Sequence, residues 1–131
     1  MERRSINPWA WQDQFGFAQA VEASGAHRLL FCTGQTATDP SGAPAHPGDI
    51  AAQVSMALDN LETLLGRAGF TLADVVRLKI FTTDMESFLA VFPAVKARLD
   101  QAQCHCAQTL IGVVRLAAPT LLVEIEATAA Q

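Results

Sequence analysis

Near the C-terminus, Val123-Glu124-Ile125-Glu126-Ala127 sets a carboxylate on an alternating segment that a β-strand would hold rigid. A carboxylate fixed in that way can take a proton from water and return it to a leaving group. The ordinary alternative for Glu124 is an exposed strand glutamate paired with a neighbouring cation. Upstream, Gln108-Thr109 supplies an uncharged amide beside a hydroxyl. Cys104-His105-Cys106 joins two thiols to an imidazole, side chains that suit zinc. Alternate residues of an extended segment point the same way, so these cysteines would need further ligands from His27, His46 or Cys32. No metal is expected. His27 and His46 lie near turns and read as surface residues.

The elements that must position these groups follow from hydrophobic spacing. Gly16 to Val21 and Arg28 to Thr33 suit two early strands joined through Ser24-Gly25 as a hairpin. Asp39-Pro40-Ser41-Gly42-Ala43-Pro44 is a loop, and His46-Pro47-Gly48-Asp49 offers a helix cap. Ile50, Val54, Leu58, Leu61 and Leu65 recur at helical spacing up to Gly69, where a left-handed residue can end the helix. Val76, Leu78, Ile80 and Thr82 alternate as a strand. Asp84 can cap a second helix carrying Phe88, Val91, Val95 and Leu99, in which Pro93 should introduce a kink or shift the start. Strands from Thr109 to Val114 and from Leu121 to Thr128, joined by a turn at Ala118-Pro119, read as a closing pair. This order predicts an α+β fold, one mixed sheet with two helices packed on one face. The uncovered face would then need burial, most simply by self-association.

Composition bounds the rest. A chain of 131 residues, 50% hydrophobic and 17% charged, fits one domain, 1–131, with residues 1–14 as an N-terminal strap. Three cysteines without CxxC spacing argue against a disulfide framework. A net charge of −4 with no basic cluster beyond Arg3-Arg4 gives no footprint for nucleic acid. The N-terminus is charged and then broken by Pro8, with no apolar run for a signal peptide or membrane span, so a cytoplasmic location is expected. Asn7-Pro8-Trp9-Ala10-Trp11 and Phe15-Gly16-Phe17 form an aromatic segment that reads as a strap or subunit contact, and alternatively as a lid on a ligand pocket.

Cys32-Thr33-Gly34-Gln35, Leu58-Asp59-Asn60-Leu61, Thr83-Asp84, Cys106-Ala107-Gln108-Thr109 and the Glu124 segment together resemble the reactive intermediate deaminase family, called Rid or YjgF, from about Phe15 to Ala129. The resemblance implies the chorismate-mutase-like Rid fold. It also implies a homotrimer with a central β-barrel, an intersubunit substrate cleft, and no cofactor. It places Glu124 as the catalytic residue that positions the hydrolytic water. Thr33, Gly34, Phe17, Ala107, Gln108 and Thr109 fall on substrate-binding positions, Phe92 where relatives often carry asparagine, and Cys106 at the cleft mouth where relatives have proline. At that position Cys106 is a candidate reactive thiol, its plain alternative being a small buried hydrophobe.

Gln108 departs from the family, whose arginine here grips a substrate carboxylate. Arginine offers a permanently charged fork; glutamine offers one amide group of each polarity and no charge. Efficient 2-iminobutyrate or 2-aminoacrylate deamination is therefore not expected. Phe92-Pro93 makes the cleft more apolar, which suits a larger, more aromatic or less acidic enamine or imine. The alternative is a non-catalytic metabolite-binding, regulatory or chaperone-like trimer. Some relatives carry ribonuclease labels, which the charge of this chain does not favour.

Overall fold

Asp49 starts the first helix, its carboxylate accepting the Ala52 amide at 3.0 Å in the computed structural model, which describes all 131 residues. Helix α1 (Ile50–Arg67) buries Val54, Ala57, Leu58, Leu61 and Leu65, the stripe its spacing predicts. It stops just before Gly69, whose φ of 78° is the left-handed turn expected there. Asp84 caps helix α2 (Met85–Gln101) through the Ser87 amide, 3.1 Å away. The helix starts at this cap and runs unbroken through Pro93, so the expected shift of its start does not occur. No helix is long and apolar enough to cross a membrane.

Six strands form two sheets: β1 (Glu2–Ile6), β2 (Ala20–Ser24), β3 (Leu29–Gln35), β4 (Val75–Thr82), β5 (Ala107–Gly112) and β6 (Val123–Ala130). The larger sheet has the order β3-β6-β4-β5, with β4 and β5 parallel and the other pairs antiparallel. Helix α2 connects β4 to β5, as a parallel pair requires a long crossover. Leu78, Ile80, Val123, Ile125 and Ala129 point from the sheet into a core closed by the helices. The opposite face leaves Leu29 and Phe31 exposed, Phe31 at 75%.

Three sequence expectations change here. The single mixed sheet is two sheets: within the strap, residues 2–6 form β1, paired antiparallel with β2 apart from the larger sheet and carrying a cross-strand Arg4–Glu22 ion pair at 2.8 Å. The β2–β3 hairpin does not form. Instead the His27 and Arg28 amides both donate to the Gln131 carbonyl, at 2.8 and 2.9 Å, and Arg28 also donates to the Ala68 carbonyl at 2.6 Å. These bonds draw β3 to the end of β6 and away from β2. Finally, β5 and β6 are not neighbours, because β4 lies between them and bonds to both.

Buried Gln53 locks the loops to α1. Its Nε2 donates to the His46 and Thr120 carbonyls at 3.0 and 2.8 Å, and its Oε1 accepts the Leu122 amide at 2.8 Å. A buried amide with both ends engaged is stable where a lone one would be costly. This clasp holds the loop that delivers β6, and therefore Glu124, into the sheet.

Candidate functional site

Strand β5 is the free edge of the sheet, and it meets one face of α2 there. Phe88, Phe92 and Lys96, four residues apart, align along that face. The N-terminal arm closes the third side. Its position is set by the Ala18 amide, which donates to the Cys106 carbonyl at 3.0 Å, and by a short 3-10 turn, Trp11–Phe15, that ends at Gly16. The three elements enclose a cavity of about 600 Å³, within the range of small-molecule pockets.

Aromatic rings wall this cavity in an unbroken series. Trp11 meets Phe17 edge-on at 5.9 Å; Phe17 and Phe15, Phe15 and Phe92, and Phe92 and Phe88 follow at 6.3 to 6.4 Å between centroids. Phe88 is fully buried and forms the floor, whereas Trp11, Phe15 and Leu89 are exposed at the mouth. The arm therefore walls one side of the pocket with Trp11, Phe15 and Phe17. Gln14, Gln108 and Thr109 bring uncharged polar groups, and Lys96 is the one charged residue in the wall. Lys96 Nζ lies 2.6 Å from Asp100 Oδ2.

A second cluster lies elsewhere. Gln108 is in register with Leu78 on the helix-covered face, whereas Glu124 is in register with Phe81 on the opposite face, two strands away. There the Glu124 side chain packs over Gly34, next to exposed Thr33. No hydrogen bond or ion pair within the chain engages Glu124; the strand cation Lys79 pairs with Glu126, at 3.4 Å.

The structure thus gathers Phe17, Phe92, Gln108 and Thr109 at the cavity, and Thr33, Gly34 and Glu124 at a separate cluster. Thr109 reaches the cavity along the strand edge, while its hydroxyl accepts from Arg77 at 2.9 Å on the open face. Ala107 begins β5 beside Ala18 and does not line the cavity. Cys106 is not at a cleft mouth: it has no exposed surface and sits in the core. The Cys104 thiol donates to it at 3.8 Å, which holds the Cys106 thiol below its ordinary value, while that same bond and burial push Cys104 up. His105 between them faces solvent, 3.9 Å from Asp100.

Lys96 escaped the sequence reading, although its spacing from Phe88 and Phe92 was available as a signal. A lysine on a helix reads as solvated unless the facing arm is known. Trp11 and Phe15 were visible as an aromatic segment, but not the surface they cover.

Residues 12–131 match the model of the family described as Endoribonuclease L-PSP. The mitochondrial protein mmf2 of Schizosaccharomyces pombe is 31% identical over 115 residues, 88% of this chain and 87% of that protein. TdcF of Escherichia coli, provisionally named a reactive intermediate deaminase, is 28% identical over 102 residues, 77% of this chain and 78% of its own. Among solved structures, a Rid-family protein of unknown function from Yersinia pestis, YyfB, superimposes with a TM-score of 0.88 at 38% identity, over 100% of both chains.

Proposed function

This chain belongs to the Endoribonuclease L-PSP family, the YjgF or Rid family, and from that premise we propose that it hydrolyses an enamine or imine in a cleft shared between copies of itself. The observation that carries this reading is the unpaired Glu124 carboxylate beside Gly34 and Thr33, on the sheet face that also exposes Phe31. The apolar cavity lies across the sheet from it, so the two can serve one substrate only if a second copy brings its cavity to the first copy's Glu124. A cyclic homotrimer whose sheets pack through this face would meet that need and bury Phe31.

In such a cleft the substrate's apolar body lies among Phe15, Phe17 and Phe92, and its polar end meets Gln108. Glu124 takes a proton from water as the water oxygen adds to the imine carbon. The same carboxyl returns that proton to the nitrogen, giving a carbinolamine; it then takes the hydroxyl proton and passes it to the nitrogen as the C–N bond breaks, and a carbonyl compound and ammonia leave. No guanidinium lines the cavity to grip a substrate carboxylate, Gln108 standing where the family's arginine would, so simple 2-imino acids are poor substrates. TdcF is provisionally named for deamination of reactive intermediates, which supports the reaction class. The ribonuclease name of the family is not carried over, since the chain has a net charge of −4 and an aromatic, not basic, cavity.

The test is ammonia release from freshly generated imines. An aryl-substituted imine should turn over faster than 2-aminoacrylate, and Glu124→Gln should remove that turnover. Unchanged turnover in the variant, or a stable monomer in native mass spectrometry, would refute the shared-cleft mechanism. A binding role without turnover is the second reading, favoured by the ring of exposed Trp11, Phe15 and Leu89 at the mouth.

A further inference from the structure

Lys96 is the natural place to look for a substitute for the absent guanidinium, yet its surroundings cancel its charge. Asp100 holds the ammonium at 2.6 Å, both side chains about one-third exposed at 32% and 36%. Gly16 closes over this pair: a β-carbon there would stand 3.2 Å from both Lys96 Cε and Asp100 Oδ1. Its φ of 77° also favours glycine at that position. The arm thus packs against one side of the pair and holds its geometry, while the other side stays open to water. Asp13 lies in the adjoining hollow with Lys96, Asp100 and His105, so two carboxylates share that hollow with the one lysine. An entering carboxylate would meet a cation already engaged, with negative charge behind it.

We propose that the Lys96–Asp100 ion pair sets the charge of the ligand, so that the aromatic cavity accepts uncharged planar aryl imines and carbonyl compounds and discriminates against aryl carboxylates. This rests on the small-molecule cleft described above and names its substrate class. The ligand's ring lies against Phe15, Phe17 and Phe92, and its carbonyl or imine nitrogen accepts from the Gln108 amide. Lys96 contributes its methylene stem to the wall while its ammonium stays with Asp100. Asp100 acts as a specificity-determining residue through Lys96.

Isosteric trans-cinnamamide and trans-cinnamate, titrated calorimetrically at pH 8 into the intact protein, test this directly. The wild type should bind the amide several-fold more tightly. Asp100→Asn frees Lys96 for a charge-assisted bond and should strengthen cinnamate binding about tenfold, with the amide changed less than twofold. Adding Lys96→Met to that variant should abolish the gain. Asp100→Ser serves as the second variant, and thermal melts establish which variants fold. The proposal is overturned if wild type prefers cinnamate, if folded Asp100 variants show no gain, or if neither compound binds at millimolar concentration. Glu124-dependent ammonia release is scored separately, so the charge preference can fail while hydrolysis stands, and the reverse.

Discussion

The Glu124 side chain fills the space that a β-carbon on Gly34 would need: its carboxyl carbon lies 2.5 Å and its Cγ 2.6 Å from that point. Because Cγ is not the free end of the side chain, Gly34→Ala must move the carboxylate itself. Gly34 has no left-handed φ, so its backbone tolerates alanine. The expected result is a loss of imine turnover of about tenfold or more, with a stability cost of about 1 kcal/mol. Retained turnover with a shifted melting temperature would separate Gly34 from catalysis.

Gln108→Arg should restore recognition of small acids. A guanidinium gains a bidentate, charge-assisted contact, about 1.5 to 3 kcal/mol, so 2-oxobutyrate should bind about tenfold more tightly or better by calorimetry. No gain would mean that the cavity around position 108 cannot seat a carboxylate.

Cys104 and Cys106 are fully buried and Cys32 nearly so. In the native protein all three should resist alkylation by iodoacetamide and react once guanidinium unfolds the chain. Burial outweighs the lowered thiol value of Cys106, since a reagent must first reach the sulfur. Rapid labelling of native Cys106, located by peptide mass spectrometry, would contradict its place in the core.

Asp84 links helix α2 to pH. The Ser87 hydroxyl first, and the Ser87 amide second, hold its carboxyl below the usual value. A folded-state value below the unfolded one means stabilisation above about pH 4 that is lost as pH falls through the folded value. Asp84→Ala should therefore lower the melting temperature at pH 7, and the difference from wild type should shrink below about pH 4. A difference independent of pH would assign the effect to packing.

Gln53→Leu keeps the volume but leaves the His46 and Thr120 carbonyls and the Leu122 amide without their partner. A loss of about 3 kcal/mol, or about 10 °C in melting temperature, is expected. Since the clasp holds the loop before β6, amide exchange at Val123 should quicken as well. A melting temperature within 2 °C of wild type (roughly half a kcal/mol) would show that water takes over those bonds.

The helices were legible from spacing and caps alone: Asp49 and Asp84 stand where the sequence puts them, and the stripe from Val54 to Leu65 is the buried one. Pro93 did not shift the start of α2, because its missing amide costs one bond in a helix that tertiary packing sustains. The β2–β3 hairpin misled for a related reason. The Ser24-Gly25 turn signal is local, but Gln131, a residue 103 positions from Arg28, supplies the partner that wins.

By itself the sequence determined what backbone periodicity can carry: the two helices, the strands of the larger sheet, the residues of these elements that face the core, and that Glu124 points away from it. Alternation along a strand is fixed by backbone geometry, so Val123 and Ile125 inward oblige Glu124 outward. Only the tertiary structure decided that β4 separates β5 from β6, placing Gln108 and Glu124 on opposite faces. It alone buried Cys106, laid Trp11 and Phe15 over the cavity, and paired Lys96 with Asp100 beneath Gly16. Those outcomes depend on which distant segments meet. That is settled by the hydrogen bonds and buried area of the whole fold, and no local pattern encodes it.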